Sequence, residues 1–238
     1  MATAAGSDQF VFEPIPSATV PVLGTDAVFP VRRIFCVGRN YAEHAKEMGA
    51  DPQREPPFFF TKPADAVASA GSDIPYPSAT SNLHHEVELV VAIAVGGDNI
   101  APSSALDHVF GYAVGNDLTR RDLQATAKKN GRPWDTAKGF DRSAPIAAIS
   151  PVDLCGHISS GKISLSVNGE CRQTGDISDM IWSTGEIIST LSTLFTLQPG
   201  DLIFTGTPAG VGTLEPGDVT EACIDGLPTL THGITTRD

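Results

Sequence analysis

Apolar residues along the chain gather mostly in short runs of strand length, separated by glycine, proline and polar residues. The runs at 31–37, 88–95 and 109–115 are rich in β-branched and aromatic residues and predict strands. PPFFFTKP at 56–63 predicts a further short, buried strand bracketed by prolines. KISLSVNGECRQ at 162–173 alternates on both sides of Asn168-Gly169 and predicts a hairpin with a tight two-residue turn. Three segments instead carry helix signals. Asn40 with Glu43 forms a capping-box pattern at the head of a short helix over 40–49. Thr119 with Asp122 predicts the start of a polar helix running through Lys129. Ser183 with Glu186 begins a third helix, where Ile187, Ile188, Leu191, Leu194 and Phe195 recur at helical spacing, with Pro199-Gly200 as its stop and a strand over 201–205 beyond.

Strands and helices follow one another irregularly, so a doubly wound βαβ sheet is not expected; the pattern predicts a β-rich α+β fold. Residues 1–30, rich in proline and small side chains, predict an extended arm or small sub-structure, and residues 31–238 a single catalytic domain. The 23 glycines and 18 prolines agree with many strands joined by turns. A net charge of −12 argues against a nucleic-acid partner, which binds through lysine and arginine. Cys36, Cys155, Cys171 and Cys223 form no Cys-x-x-Cys pair, so no zinc knuckle or redox motif is expected, and a reducing cytoplasm is the simplest setting. No Lys or Arg precedes Arg32, and the longest apolar run, 87–95, contains Glu88; neither a secretory signal nor a membrane span is expected.

Candidate chemistry begins at Glu86 and Glu88. Side chains alternate along a strand, so these two carboxylates point the same way, roughly 7 Å apart along the backbone. Asp117 follows the apolar run at 109–115. Three hard oxygen donors with no cysteine or histidine cage suit Mg²⁺ or Mn²⁺ better than zinc. Paired glutamates also occur on solvated strand faces, but carboxylates entering a buried run need partners or a cation. The zinc-protease pattern His-Glu-x-x-His fails, because Leu89 stands where the second histidine belongs. On the helix over 40–49, Asn40, His44 and Glu47 share a face; Glu47 can orient His44 as a general base, or the two form an incidental surface pair. Arg39, Lys62 and Lys138 are basic residues set in apolar or turn sequence, Lys138 next to Gly139. IFTGTPAGVG at 203–212 matches neither a P-loop nor a dinucleotide fingerprint, yet its backbone N–H groups and the Thr207 hydroxyl can serve a carboxylate. The overall negative charge would repel an anionic substrate, so a bound cation and local basic groups would have to offset it.

Taken in order, Gly38-Arg39-Asn40-Tyr41, His44, Glu47, Phe60-Thr61-Lys62-Pro63, His85-Glu86-Val87-Glu88, Asn116-Asp117, Arg121-Asp122 with Gln124, Lys138-Gly139-Phe140-Asp141 and the TGTPAGVG segment resemble the fumarylacetoacetate hydrolase superfamily over residues 31–218. Within it the chain is most similar to small bacterial acylpyruvate hydrolases of the fumarylpyruvate type. The resemblance implies a mixed β-roll, a homodimer, and one Mg²⁺ or Mn²⁺ held by Glu86, Glu88 and Asp117. It also implies His44 and Glu47 as a catalytic pair on a lid, Lys138 as a further catalytic residue, and Arg39, Gln124, Gly206 and Thr207 as substrate contacts. The implied reaction is hydrolysis of a C–C bond in a small 2-keto acid, 3-fumarylpyruvate giving fumarate and pyruvate. Oxaloacetate decarboxylation and dienoate isomerisation or hydration on the same scaffold are the alternatives, with a non-catalytic metabolite-binding protein further off. Arg32, Arg33, Arg121 and Arg142 are candidates to meet the second carboxylate of a fumaryl group.

Overall fold

In the computed structural model, which describes residues 10–43 and 56–237, the strand Val87–Ile93 is buried at every position. It lies inside an eight-stranded mixed sheet. The strand order is Phe58–Lys62, Arg33–Gly38, Asp201–Phe204, Val87–Ile93, Val109–Asn116, Ala144–Ile146 and Val67–Ser69, with Ser150–Pro151 also paired to Val109–Asn116. Asp201–Phe204 runs parallel to Arg33–Gly38 and antiparallel to Val87–Ile93.

Both faces of this sheet are covered, which explains why its central strands read as continuous apolar runs. On one face Leu89, Val91, Ile93, Tyr112 and Val114 pack with Ile163, Leu165, Ile224 and Leu230 from a five-stranded sheet and with Ile187, Ile188 and Leu191 of the helix Thr184–Leu194. On the other, Ile34, Val90, Ala92, Ala113 and Phe204 pack with Val20, Val22, Phe29 and Val31. Val20 and Phe29 belong to a small hairpin of Thr19–Pro21 and Val28–Pro30. A third, three-stranded sheet of Thr119–Arg120, Leu83–His85 and Gly212–Leu214 sits where the chain enters Val87–Ile93. The architecture is the expected β-rich α+β. Among the described residues no helix is long and apolar enough to cross a membrane.

The hairpin of Lys162–Val167 and Glu170–Asp176 turns through Asn168 (φ 53°) and Gly169 (φ 80°), the two left-handed residues a tight turn requires. The Ser183–Glu186 capping box is also present, with Ser183 N–H donating to Glu186 at 3.0 Å. Other expectations need correction. The helix stops at Leu194, well before Pro199-Gly200, and Leu194 and Phe195 are exposed. Phe58–Lys62 is an edge strand, so its phenylalanines are only half-buried, and Phe58 and Phe60 pack on Trp134. The polar helix begins at Arg121 rather than Thr119, because Asp122 accepts from Thr80 Oγ1 (2.6 Å) and Ser81 N–H (3.1 Å) instead of capping. The Asn40 side chain accepts from Trp182 N–H (2.8 Å) and donates to the Trp182 and Thr205 carbonyls (3.0 and 2.8 Å). Most of the helix expected over 40–49 lies outside the described residues.

Candidate metal and substrate site

Glu86 stands between the strands Leu83–His85 and Val87–Ile93, where the chain passes from the small sheet into the central one. Asn116, at the end of the neighbouring strand, fixes that position: its Oδ1 accepts Glu86 N–H at 2.8 Å, and Asp117 N–H donates to the Glu86 carbonyl at 2.8 Å. Glu88 projects two residues further on. One carboxylate oxygen each from Glu86, Glu88 and Asp117 falls within 4.8 Å of the others, and all three residues are buried.

Three cations stand against these acids. Lys138, the last residue of the short helix Asp135–Lys138, donates from Nζ to Glu86 Oε2 at 2.7 Å and to Asp117 Oδ2 at 2.6 Å. Lys62 Nζ lies 2.8 Å from Asp117 Oδ1 and donates to the carbonyls of Leu118 and Lys138. Arg121 pairs with Glu86 Oε1 and donates to Gln124 Oε1 at 2.7 Å. Burial works against the Lys138 ammonium, but the Asp117 and Glu86 carboxylates outweigh it and hold its pKa above the ordinary lysine value.

Glu88 is the exception. Among the described residues no cation pairs with it; its Oε2 accepts only Gly206 N–H, at 2.7 Å. Burial, and then the Asp117 and Glu86 charges, push its pKa well above the carboxylate range. Asp117 Oδ1, close to Lys62, receives no hydrogen bond of good geometry. Converging hard oxygens, one unpaired buried acid and an under-satisfied oxygen fit a small divalent cation.

A second layer positions Thr207. The buried Gln173, on the hairpin strand Glu170–Asp176, accepts through Oε1 from Val87 N–H (3.1 Å) and His85 Nδ1 (2.8 Å). Its Nε2 donates to Thr207 Oγ1 (2.8 Å) and to the Pro208 carbonyl (2.9 Å). Pro208 O can only accept and Val87 N–H can only donate, so the amide orientation is fixed. Gly206 is required beside it. Its φ is 99°, and a Cβ there would come within 2.7 Å of the Asn40 Cβ.

Glu86, Glu88, Asp117, Lys138, Arg39, Arg121, Gln124 and Thr207 line a single cleft, together with Phe60, Lys128 and Trp134. The fumarylacetoacetate (FAA) hydrolase C-terminal family model matches residues 33–235. The chain belongs to this family. Fumarylpyruvate hydrolase from Pseudomonas aeruginosa, solved in complex with Mn²⁺ and pyruvate, is 52% identical, with a TM-score of 0.94 over 96% of this chain and 100% of that one. The mitochondrial oxaloacetate tautomerase FAHD1 of Mus musculus is 46% identical over 84% of this chain and 90% of its own length. A 5-carboxymethyl-2-hydroxymuconate delta-isomerase from Mycobacterium smegmatis is 33% identical with a TM-score of 0.79, over 93% of this chain and 83% of its own.

Not every expected residue of this family member is described in the cleft. His44 and Glu47 lie outside the described residues. Gly206, expected as a substrate contact, donates its N–H to Glu88 Oε2. Arg32 and Arg33 are not in the cleft; both pair with Asp201. Arg142 donates to the Asp73 carbonyl, also elsewhere. Gln173, Asn116 and Lys128 were missed. A signal for Lys128 was present, since 121, 124 and 128 follow helical spacing; none existed for Gln173, which sits in the hairpin at a distance of more than eighty residues from Val87.

Proposed function

We propose that this chain is a divalent-metal-dependent hydrolase that cleaves a C–C bond in an acylpyruvate, converting 3-fumarylpyruvate to fumarate and pyruvate. The observation that carries the reading is the buried triad of Glu86, Glu88 and Asp117, in which Glu88 has no paired cation among the described residues. These three residues would hold one Mg²⁺ or Mn²⁺, which when bound acts as a Lewis acid toward negative charge on the oxygens of a 2-oxo acid. Lys62, Lys138 and Arg121 already offset three carboxylates, so a dication gives the cleft net positive charge despite the chain's −12. The 52% identity to the Pseudomonas aeruginosa enzyme supports the choice of acyl group.

In this reading His44, oriented by Glu47, takes a proton from water as the oxygen adds to the distal acyl carbonyl. Lys138 and Gln124 stabilise the oxyanion that develops there. The C–C bond then breaks, its electron pair leaves on the pyruvate fragment as an enolate, and protonation at carbon releases pyruvate. Thr207, whose hydroxyl accepts from Gln173, keeps its own proton free to donate to the substrate carboxylate. By family likeness the working unit is a homodimer, which light scattering at twice the chain mass would support.

A second reading is oxaloacetate tautomerisation or decarboxylation, favoured by the similarity to FAHD1. One assay separates them: purified protein with Mn²⁺ or Mg²⁺ against fumarylpyruvate, acetylpyruvate and oxaloacetate. We expect the highest kcat/KM for fumarylpyruvate; faster conversion of oxaloacetate would overturn the assignment. In the same assay His44→Ala should lose about 10²–10⁴ in turnover while Mn²⁺ binding is unchanged.

A further inference from the structure

Of the four basic residues that line the cleft, two are paired with its carboxylates and two are not. Lys138 and Arg121 are paired with the triad, and Lys62 stands directly behind it. Arg39 and Lys128 have no ion pair and no hydrogen-bonded side-chain partner among the described residues. Both instead lie over aromatic rings. Lys128 Nζ is 5.3 Å from the centroid of Trp134, and the Arg39 guanidinium is 5.5 Å from that of Phe58. Those rings touch each other edge-on at 5.3 Å, with Phe60 5.6 Å from Trp134 on the same shelf. Arg39 also holds a left-handed backbone (φ 60°), a strained state that for a non-glycine residue tends to accompany function.

We propose that Lys128, aided by Arg39, is the specificity-determining residue of this cleft, receiving the far carboxylate of a long 2-oxo diacid whose 2-oxo-acid head lies at Glu86, Glu88 and Asp117. This rests on the proposed 2-oxo-acid reading and adds which end of the molecule selects it. Arg121, Gln124 and Lys128 occupy positions i, i+3 and i+7 of the helix Arg121–Lys129 and so share one face along the cleft. Arg121 contacts Glu86, and Lys128 lies seven residues on, about 10 Å along the axis, a separation its long side chain shortens by leaning back toward the helix start. A four-carbon diacid, with three C–C bonds between its carboxyl carbons, reaches at most about 4.5 Å, and a seven-carbon diacid at most about 9 Å. Only the longer one bridges the two ends. The aromatic shelf supplies a flat apolar wall for the intervening carbons. Burial, with Arg121 and then Arg39 nearby, pulls Lys128 down to about 8, as expected where cations collect without an anion of their own.

The test compares binding of 2-oxoheptanoate and 2-oxoheptanedioate to the Mn²⁺-loaded protein by calorimetry. Both have the 2-oxo-acid head but lack the 4-oxo group that hydrolysis needs, so binding is read without turnover. Wild type should bind the diacid at least about tenfold more tightly. Lys128→Met should bring the two acids within about twofold by weakening the diacid alone, and Lys128→Arg should restore the preference. A preference unchanged in Lys128→Met, or an equal loss for both acids, overturns the subsite and leaves the 2-oxo-acid reading standing. If neither acid binds wild type, that reading fails and the subsite with it.

Discussion

Gln173 never reaches the cleft, yet four hydrogen bonds converge on its side chain and two of them reach the ligand strand and Thr207. Its Oε1 obliges His85 to carry its proton on Nδ1, so His85 Nε2 is left as a buried acceptor without a partner among the described residues. Its Nε2 makes the Thr207 hydroxyl an acceptor on that side. Gln173→Leu would strand the buried Val87 and His85 donors. We expect a loss of about 2–4 kcal/mol in urea unfolding and a raised KM for any 2-oxo-acid substrate. A loss below about 1 kcal/mol would mean that the donors find other acceptors. Nothing in the neighbourhood of Gln173 in the sequence distinguishes it from a solvated hairpin residue; only the sheet packing brings it to Val87.

Elements that depend on their own residues matched expectation, and those that depend on distant ones did not. The Asn168-Gly169 hairpin and the Ser183 box are closed by residues within three positions of each other, so tertiary contacts had little to override. Ser183→Ala should therefore cost about 1 kcal/mol, read as a lower urea midpoint with unchanged slope. Thr119 and Asp122 carry the same local pattern, but Thr80 and Ser81 compete for the Asp122 carboxylate and Thr119 is drawn into a strand beside His84. The Asn40 amide donates to the Trp182 and Thr205 carbonyls, tying the strand end at Gly38 to the segment that carries Thr207. The three phenylalanines at 58–60 suggest a core strand from composition alone; because their strand is last in the sheet they stay half-buried, with Phe60 lining the cleft and Phe58 beside it on Trp134.

For the whole molecule, two linked equilibria follow from buried charge. His232, buried against Thr220 and 3.4 Å from Asn116, has a pKa lowered by burial to about 4. Above the unfolded value of about 6.5 both states are neutral and this residue has no effect; as pH falls from there to 4 the unfolded chain takes up the proton first. Stability should drop through that window by on the order of 3 kcal/mol from this residue, and His232→Gln should flatten the dependence in urea unfolding at pH 7 and pH 5. An equal slope in the variant would assign the acid lability to other groups. The second equilibrium is metal binding. Mn²⁺ at about a hundred times its Kd should stabilise the protein by roughly 2.7 kcal/mol, reversed by EDTA. Glu88→Gln should abolish that gain and, in metal-free protein at neutral pH, unfold later than wild type, because burial and then the Asp117 and Glu86 charges oppose ionisation of Glu88 in the folded state only.

The sequence by itself determined the β-rich class, the hairpin, the capped helix Thr184–Leu194 and the identity of the three acids, since each is written in local periodicity or in ordered motifs. Tertiary structure alone decided that Glu88 pairs with no cation among the described residues, that Lys62 stands behind Asp117, that Gln173 supports Thr207, and that Lys128 lies on Trp134. The reason is one of range. Helix caps and strand alternation are settled by neighbours a few residues apart, whereas the partner of a buried charge is whichever group the packed sheets bring within about 3 Å, and that group can come from anywhere in the chain.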